Sequence, residues 1–359
     1  MRKLNFKSVI VACSLLAVIS ACSKKSIEPV EPDPENPETP TPKPPTPKPL
    51  TFFYAGYKYQ TDYKGAGRNA ILSINDSIVL LSPSLRSDAL AIAAVNNKEA
   101  HVTGYQKTSS GQQRVAYWKN GKISFLTQAG NNNTGTAINV IGSKVYVGGT
   151  KDYNGAYGLF LWTNGVEKRK ACCLAQSEVT SITEVAGEPY LSGRFASNAH
   201  MFNDEWALAI AGPNTYADYI NAINAINKDV YVLGHANYNS SSDAAVVWKN
   251  RKEVFKLPLG DFASDVLGTM VGTDYYFVAN FYNGGKGTSV VYKNKTKLYQ
   301  LSGAASITAT AIRVVSGKVY ILGNYLNGAK SSAVLWTNGK PKVLFGEGKK
   351  IYLNDFAVN

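Results

Sequence analysis

A short apolar run closed by glycine or alanine recurs seven times in this chain, and that recurrence narrows the possible folds more than any other feature. The runs are FFYAG (52–56), HVTG (101–104), VYVGG (145–149), PYLSG (189–193), VYVLG (230–234), YYFVA (275–279) and VYILG (319–323), with last residues 48, 45, 44, 41, 45 and 44 positions apart. Three positions before each small residue stand Phe53, His101, Tyr146, Tyr190, Tyr231, Tyr276 and Tyr320, a single packing slot used seven times. A second element follows in register: YWKNGK (117–122), LWTNGV (161–166), VWKNRK (247–252), VYKNKT (291–296) and LWTNGK (335–340), with weaker copies at LSIND (72–76) and MFND (201–204). Asn-Gly between apolar runs marks a two-residue hairpin, because a type I′ turn needs positive φ at both central residues. A third element precedes each glycine run, as in TAINVIG (136–142), NAINAIN (221–227) and TAIRVVSG (310–317).

Each unit therefore holds four short antiparallel strands, A to D, in about 44 residues, which is the period of a propeller blade. The absence of a 3.6-residue apolar period excludes helical solenoids. The chain enters the repeats directly on a B-type strand at Phe52 and finishes IYLNDFAVN (351–359), which reads as an A strand. The expectation is an all-β, seven-bladed β-propeller of four-stranded antiparallel blades over residues 51–359. Its C-terminal strand completes the first blade in a 1+3 closure and removes the open edges of the ring. The copies AYWKNG (116–121) and TAIN (136–139) resemble the extracellular HAF-type repeat, and the whole chain resembles bacterial lipoproteins built on a seven-bladed propeller. The resemblance implies a fold and a place in the envelope, without implying a reaction.

The first fifty residues read differently. Arg2, Lys3 and Lys7 precede an apolar run, Val9 to Ala21, that is too short to span a bilayer. It ends Ile19-Ser20-Ala21-Cys22, which resembles a bacterial lipobox and implies removal of residues 1–21 and lipid attachment at Cys22. Ser23, rather than Asp, points to an outer-membrane lipoprotein, periplasmic or surface-facing, and Lys24 and Lys25 stand where a surface-export signal would be acidic. Residues 22–50 hold ten of the fifteen prolines and read as an extended, disordered tether. Residues 26–50 would reach about 75 Å at ~3.1 Å per residue.

The net charge of +13 invites a nucleic-acid reading, but the basic residues are scattered. Residues 51–359 carry 31 basic and 20 acidic side chains, with many lysines beside the C–D hairpins, where they discourage edge-to-edge pairing. No dense basic helix or RNA-binding aromatic signature is present, so no nucleic-acid partner is expected. His101, His200 and His235 show no metal-ligand spacing, and no cofactor or metal is expected. Cys172 and Cys173 read as unpaired thiols near strand D of the third blade. Gly65 to Ala70 fits G-x-G-x-x-A, but it precedes a strand and lacks the helix that would cradle a phosphate. No G-x-S-x-G elbow occurs, and no catalytic residue is assigned. Asp88, Asp265 and Asp355 lie near the starts of A strands, where propeller hydrolases place acids.

The B–C loops are the best candidate surface. Each carries an aromatic residue close to the small residue that ends its B run, and asparagines stand between them. Candidate ligand-binding residues are Tyr57, Tyr59, Tyr105, Tyr153, Arg194, Phe195, His235, Tyr238, Asn280, Phe281, Asn324 and Tyr325. Aromatic planes with amide donors and acceptors suit sugar rings, and tyrosine also suits protein recognition. The sequence reading is thus a monomeric, membrane-anchored binding or scaffold module for a glycan or an envelope protein. The alternative is a propeller enzyme, a polysaccharide lyase or glycosidase, which would require carboxylates grouped at the channel mouth.

Overall fold

Asn-Gly hairpins and consecutive apolar positions in the B runs dictate the architecture, and the computed structural model shows it directly. It describes residues 49–60, 67–153, 156–172, 177–195, 198–203, 207–209, 216–238, 242–260, 263–303, 306–327 and 330–359. The described residues form seven four-stranded antiparallel sheets arranged as propeller blades. The innermost strands A, in blade order, are Ile351–Val358, Ser87–Asn96, Thr134–Ile141, Glu178–Val185, Tyr216–Ile226, Ala263–Val271 and Ser306–Val315. The B strands are Phe52–Tyr59, Glu99–Lys107, Lys144–Tyr153, Glu188–Phe195, Asp229–Tyr238, Asp274–Asn283 and Lys318–Asn327. Blade 1 runs in the order A–B–C–D with the C-terminal strand innermost, so the 1+3 closure is present. Thr51 and Asn359 complete it by exchanging backbone hydrogen bonds of 2.8 and 3.1 Å. All seven blades, their cores and the ring closure lie within Pro49–Asn359, one compact unit with its own cores.

The recurring residues have separate physical jobs. In blades 2, 3, 5 and 7 the tryptophans Trp118, Trp162, Trp248 and Trp336 are buried. Each packs against the preceding blade; Trp118, for example, joins Phe53 and Leu72 of blade 1, and Trp336 joins Tyr276 and Val278 of blade 6. The turn asparagine after it takes a left-handed φ, 48° at Asn120 and 49° at Asn164. Its Oδ1 also accepts the backbone N–H near the start of strand B. Those bonds are 2.8 Å from Ala100 to Asn120, 2.9 Å from Val145 to Asn164 and 2.9 Å from Val319 to Asn338. Asparagine thus supplies both the turn geometry and a clamp between two hairpins.

The small residue ending each B run answers to a β-bulge. In six blades strand A carries one extra residue beside the partner of the motif glycine: Asn354, Leu90, Thr136, Thr180, Asn221 and Thr310. The bulge presses a backbone carbonyl onto the glycine. A Cβ on Gly104 would lie 1.9 Å from the Asp88 oxygen, and one on Gly193 would lie 2.0 Å from that of Glu178. Blade 6 has Ala279 at this position, and there the bulge moves outward by two pairs, to Ser264. Bulge residues also clasp neighbouring blades. Asn354 Nδ2 donates to Ala89 O (2.8 Å), Thr136 Oγ1 to Val179 O (2.5 Å), Thr310 Oγ1 to Leu353 O (3.0 Å), and Asn221 Nδ2 to Val266 O. Asp355 closes the ring. It accepts from Arg313 of blade 7 at 2.7 Å and from the Ile92 amide of blade 2 at 3.1 Å.

The A–B and C–D turns share one face of the ring, and the B–C and D–A connections share the other. These are the turn face and the loop face below.

Candidate functional site

The bulge sets the geometry of the loop face. The residue after the motif glycine or alanine is Tyr57, Tyr105, Thr150, Arg194, His235, Asn280 and Asn324 in blades 1 to 7. Across the ladder these pair with Tyr352, Asp88, Thr134, Glu178, Tyr219, Asp265 and Thr308. Two concentric rings of mostly polar or aromatic residues therefore stand at one height around the loop-face mouth. Three of the seven inner residues are acids. The channel below, lined by all seven A strands, has a volume of about 610 Å³.

At the seam of blades 1 and 2 the rings condense into a cluster. Tyr57 stacks on Tyr352 with ring centroids 5.4 Å apart and planes 14° from parallel. Tyr59 stands nearly perpendicular to both, at 5.4 and 5.8 Å. Arg68, which starts strand C of blade 1 (Arg68–Ile74), lies over the Tyr57 ring at 4.7 Å. Its guanidinium reaches Asp88 of blade 2 at 2.5 Å and donates to the Tyr105 hydroxyl at 3.0 Å. Cross-strand pairing explains the arrangement. Tyr57 is opposite Tyr352 and Tyr59 is opposite Arg68, so all four side chains leave one face of the blade. Burial pushes the Tyr57 hydroxyl well above the usual phenol range, helped by Tyr59. Burial also raises the Asp88 carboxyl, against the opposing pull of Tyr105, Arg68 and Arg86.

A second polar group spans blades 4 to 6. Glu178 is opposite Arg194 in the ladder and lines the channel. Burial raises its carboxyl; the nearby Arg194 charge opposes this and Asp265 adds to it. Asp265 is likewise raised by burial, against hydrogen bonds from Asn221 and the Val266 amide and the charge of His235. His235 is buried and its Nε2 lies 3.1 Å from Asp243 Oδ1. Among the described residues no group of three or more His, Cys, Asp or Glu is placed to hold a metal ion.

The remaining candidates scatter. Asn280 is buried, donates to Ala309 O at 3.0 Å and accepts from Ser289 at 2.6 Å, which ties blade 6 to blade 7. Asn324 is buried and points at Leu353 O, 3.5 Å away. Tyr325 packs edge-on against Trp336 at 5.4 Å and donates to Ser302 O at 2.7 Å. Phe281 packs partly into the core of blades 5 and 6, and Phe195 sits edge-on to His200 and Phe202. Tyr153 and Tyr238 end their B strands, and their side chains lie outside the described residues, as do Cys22 and the tether up to residue 48. Among the described side chains, the sequence candidates form no continuous aromatic ring. The structure brings together Tyr57, Tyr59 and Tyr105, and adds Tyr352, Arg68 and Asp88. Tyr352 has a readable signal: it occupies, in the C-terminal A strand, the position opposite the residue after the motif glycine.

No protein-family model matches the chain, and no curated protein matches it in sequence. Solved structures match its fold. A puromycin-hydrolysing peptidase of Mycobacterium tuberculosis aligns with a TM-score of 0.50 at 10% identity, over 83% of this chain and 52% of its own. The β-propeller domain of the trilobed protease from Pyrococcus furiosus aligns with a TM-score of 0.49 at 10% identity, over 84% and 93%. TolB from Acinetobacter baumannii aligns with a TM-score of 0.46 at 10% identity, over 68% and 61%. This chain therefore spans about half of the peptidase and 61% of TolB. At such identities the likeness is one of fold alone.

Proposed function

We propose that this protein is a lipid-anchored binding module of the cell envelope that takes a glycan on its loop face, at the seam of blades 1 and 2. One observation carries the reading: three tyrosines packed within 5.4–5.8 Å of one another beside an arginine already held by a carboxylate and a phenol. Partly exposed aromatic rings supply apolar planes for sugar C–H faces, while Arg68, Asp88 and Tyr105 offer donors and acceptors for hydroxyls. Because Arg68 is paired with Asp88, the site suits neutral sugars better than a strongly anionic one. Cys22 supplies the anchor and the proline-rich tether the reach. A glycan array probed with residues 49–359 tests this. Tyr59→Ala and Tyr352→Ala are expected to weaken binding about 3–10-fold each. Tyr282→Ala, at an exposed ring on blade 6 (57% exposed), is expected to leave it unchanged. Uniform silence on the array, or binding indifferent to both seam substitutions, overturns the reading.

A second reading has its own support. Glu178 and Asp265 are half-buried carboxyls near the channel mouth, both raised in pKa by desolvation, and the Asp265 charge adds to the rise at Glu178. That is the raw material of a general acid in a glycosidase or lyase. Polysaccharide turnover by the wild type that Glu178→Gln abolishes would favour it over simple binding.

A further inference from the structure

The turn face differs from the loop face in charge and in what enters it. The chain reaches the propeller at Thr51, where its backbone pairs with Asn359, and the Phe52 amide then donates to Asn75 Oδ1 in the C–D turn of blade 1. The tether is therefore joined at the turn face, opposite the tyrosine cluster. Around that junction the turns are mostly basic, apart from Asp76 in the C–D turn of blade 1, which faces Lys342 at 3.6 Å. Lys318 and Lys340 project from blade 7, Lys98 and Lys122 from blade 2, and Lys295 and Lys297 from blade 6. All six are exposed, and none joins an ion pair among the described residues. The far side of the same face is mixed, with exposed Lys144 on blade 3 and Lys228 and Lys252 on blade 5 beside acids. Glu184 and Glu188 are on blade 4, and Glu167 of blade 3 is matched by Lys151 at 2.7 Å.

We propose that this lysine arc is a docking surface for an anionic lipid bilayer. It goes beyond the glycan reading and does not depend on it. The arc is centred on blade 1, where any membrane-anchored N-terminal segment must arrive. The six ammonium groups belong to short turns of three blades that flank or neighbour that point, so a flat anionic surface approached from the tether side meets them together. Docking there leaves the loop face pointing away from the membrane. Unpaired lysines at an anionic bilayer surface each strengthen binding about fivefold at moderate salt, and the gain fades within a Debye length.

The test is co-sedimentation of residues 49–359, which carry no lipid, with vesicles of phosphatidylglycerol and phosphatidylethanolamine or of phosphatidylcholine alone. Binding is expected only to the anionic vesicles, with loss in high salt. Charge reversal at Lys122, Lys295 and Lys340 together is expected to weaken it by about 100-fold or more. The same reversal at the loop-face lysines Lys58, Lys107 and Lys286 is expected to have little effect. All six positions are at the surface, and unchanged thermal melts verify that the variants fold. Absence of binding to anionic vesicles, or an equal loss from the loop-face set, overturns the proposal. Neither result bears on the glycan array, so the two readings fail separately.

Discussion

Replacing Gly104 with alanine tests whether the motif glycines exist for the strand A bulge. A Cβ at this position would sit 1.9 Å from the Asp88 carbonyl oxygen, 2.9 Å from its carbon and 3.2 Å from Ala89 Cα. All three are backbone atoms, and they are held on one side by Asp88 pairing with Tyr105 and on the other by the clasp from Asn354 to Ala89 O. No side chain can rotate away, so either the bulge moves or the blade opens. Overpacking of this kind costs about 2–4 kcal/mol. For a domain of this size each kcal/mol lowers the melting midpoint by about 1.5 °C, so the expected loss is about 3–6 °C. The assay is thermal unfolding of residues 49–359, beside Gly346→Ala as a control. Gly346 has ordinary extended geometry, with φ −73°, and nothing within 4 Å of an added Cβ. Its substitution is expected to stay within about 0.5 kcal/mol. A Gly104→Ala protein that melts within about 1 °C of the wild type, or a control that falls equally far, refutes the argument. Blade 6 shows nature's accommodation, since Ala279 is tolerated where the bulge has shifted two pairs.

Two further outcomes follow from the buried carboxylates. Asp355→Ala leaves the Arg313 guanidinium and the Ile92 amide without their shared acceptor, and is expected to destabilise the ring by about 2–4 kcal/mol in chemical denaturation; a neutral effect would show that the closure rests on backbone pairing alone. Asp88, Glu178, Asp265 and Asp355 all have carboxyls raised by burial. The folded state therefore holds protons that the unfolded chain releases, and their contribution to stability falls as pH rises from the ordinary carboxylate range through their raised folded values. Asp265→Asn is expected to flatten that decline in denaturant midpoints measured between mildly acidic and neutral pH, and an unchanged slope would exclude Asp265 as a contributor.

The blade count, strand order and ring closure were legible in the sequence because they depend on local patterns repeated at one period. The Trp-x-Asn-Gly hairpin needs only its own residues to turn, and seven copies average out the weak ones at LSIND and MFND. The terminal IYLNDFAVN strand could be recognised because it copies a neighbour. The loop face was read less well for a specific reason. Asn280 and Asn324 look like loop asparagines in the chain, yet strand pleating turns them inward onto the next blade's backbone. Asp88 and Asp265 showed no common register when counted along the chain. The ladder places them, with Glu178, opposite equivalent residues once each bulge is counted.

Sequence alone therefore determined the architecture, since period, turn chemistry and burial pattern are properties of short segments. Only the tertiary structure decided which side chains share a site. Tyr352 meets Tyr57 because the last strand returns to the first blade, and Arg68 meets Asp88 because consecutive blades pack face to face. The one-residue bulges set which side chains reach the mouth and which are spent holding the ring, and that offset depends on how two strands register against each other.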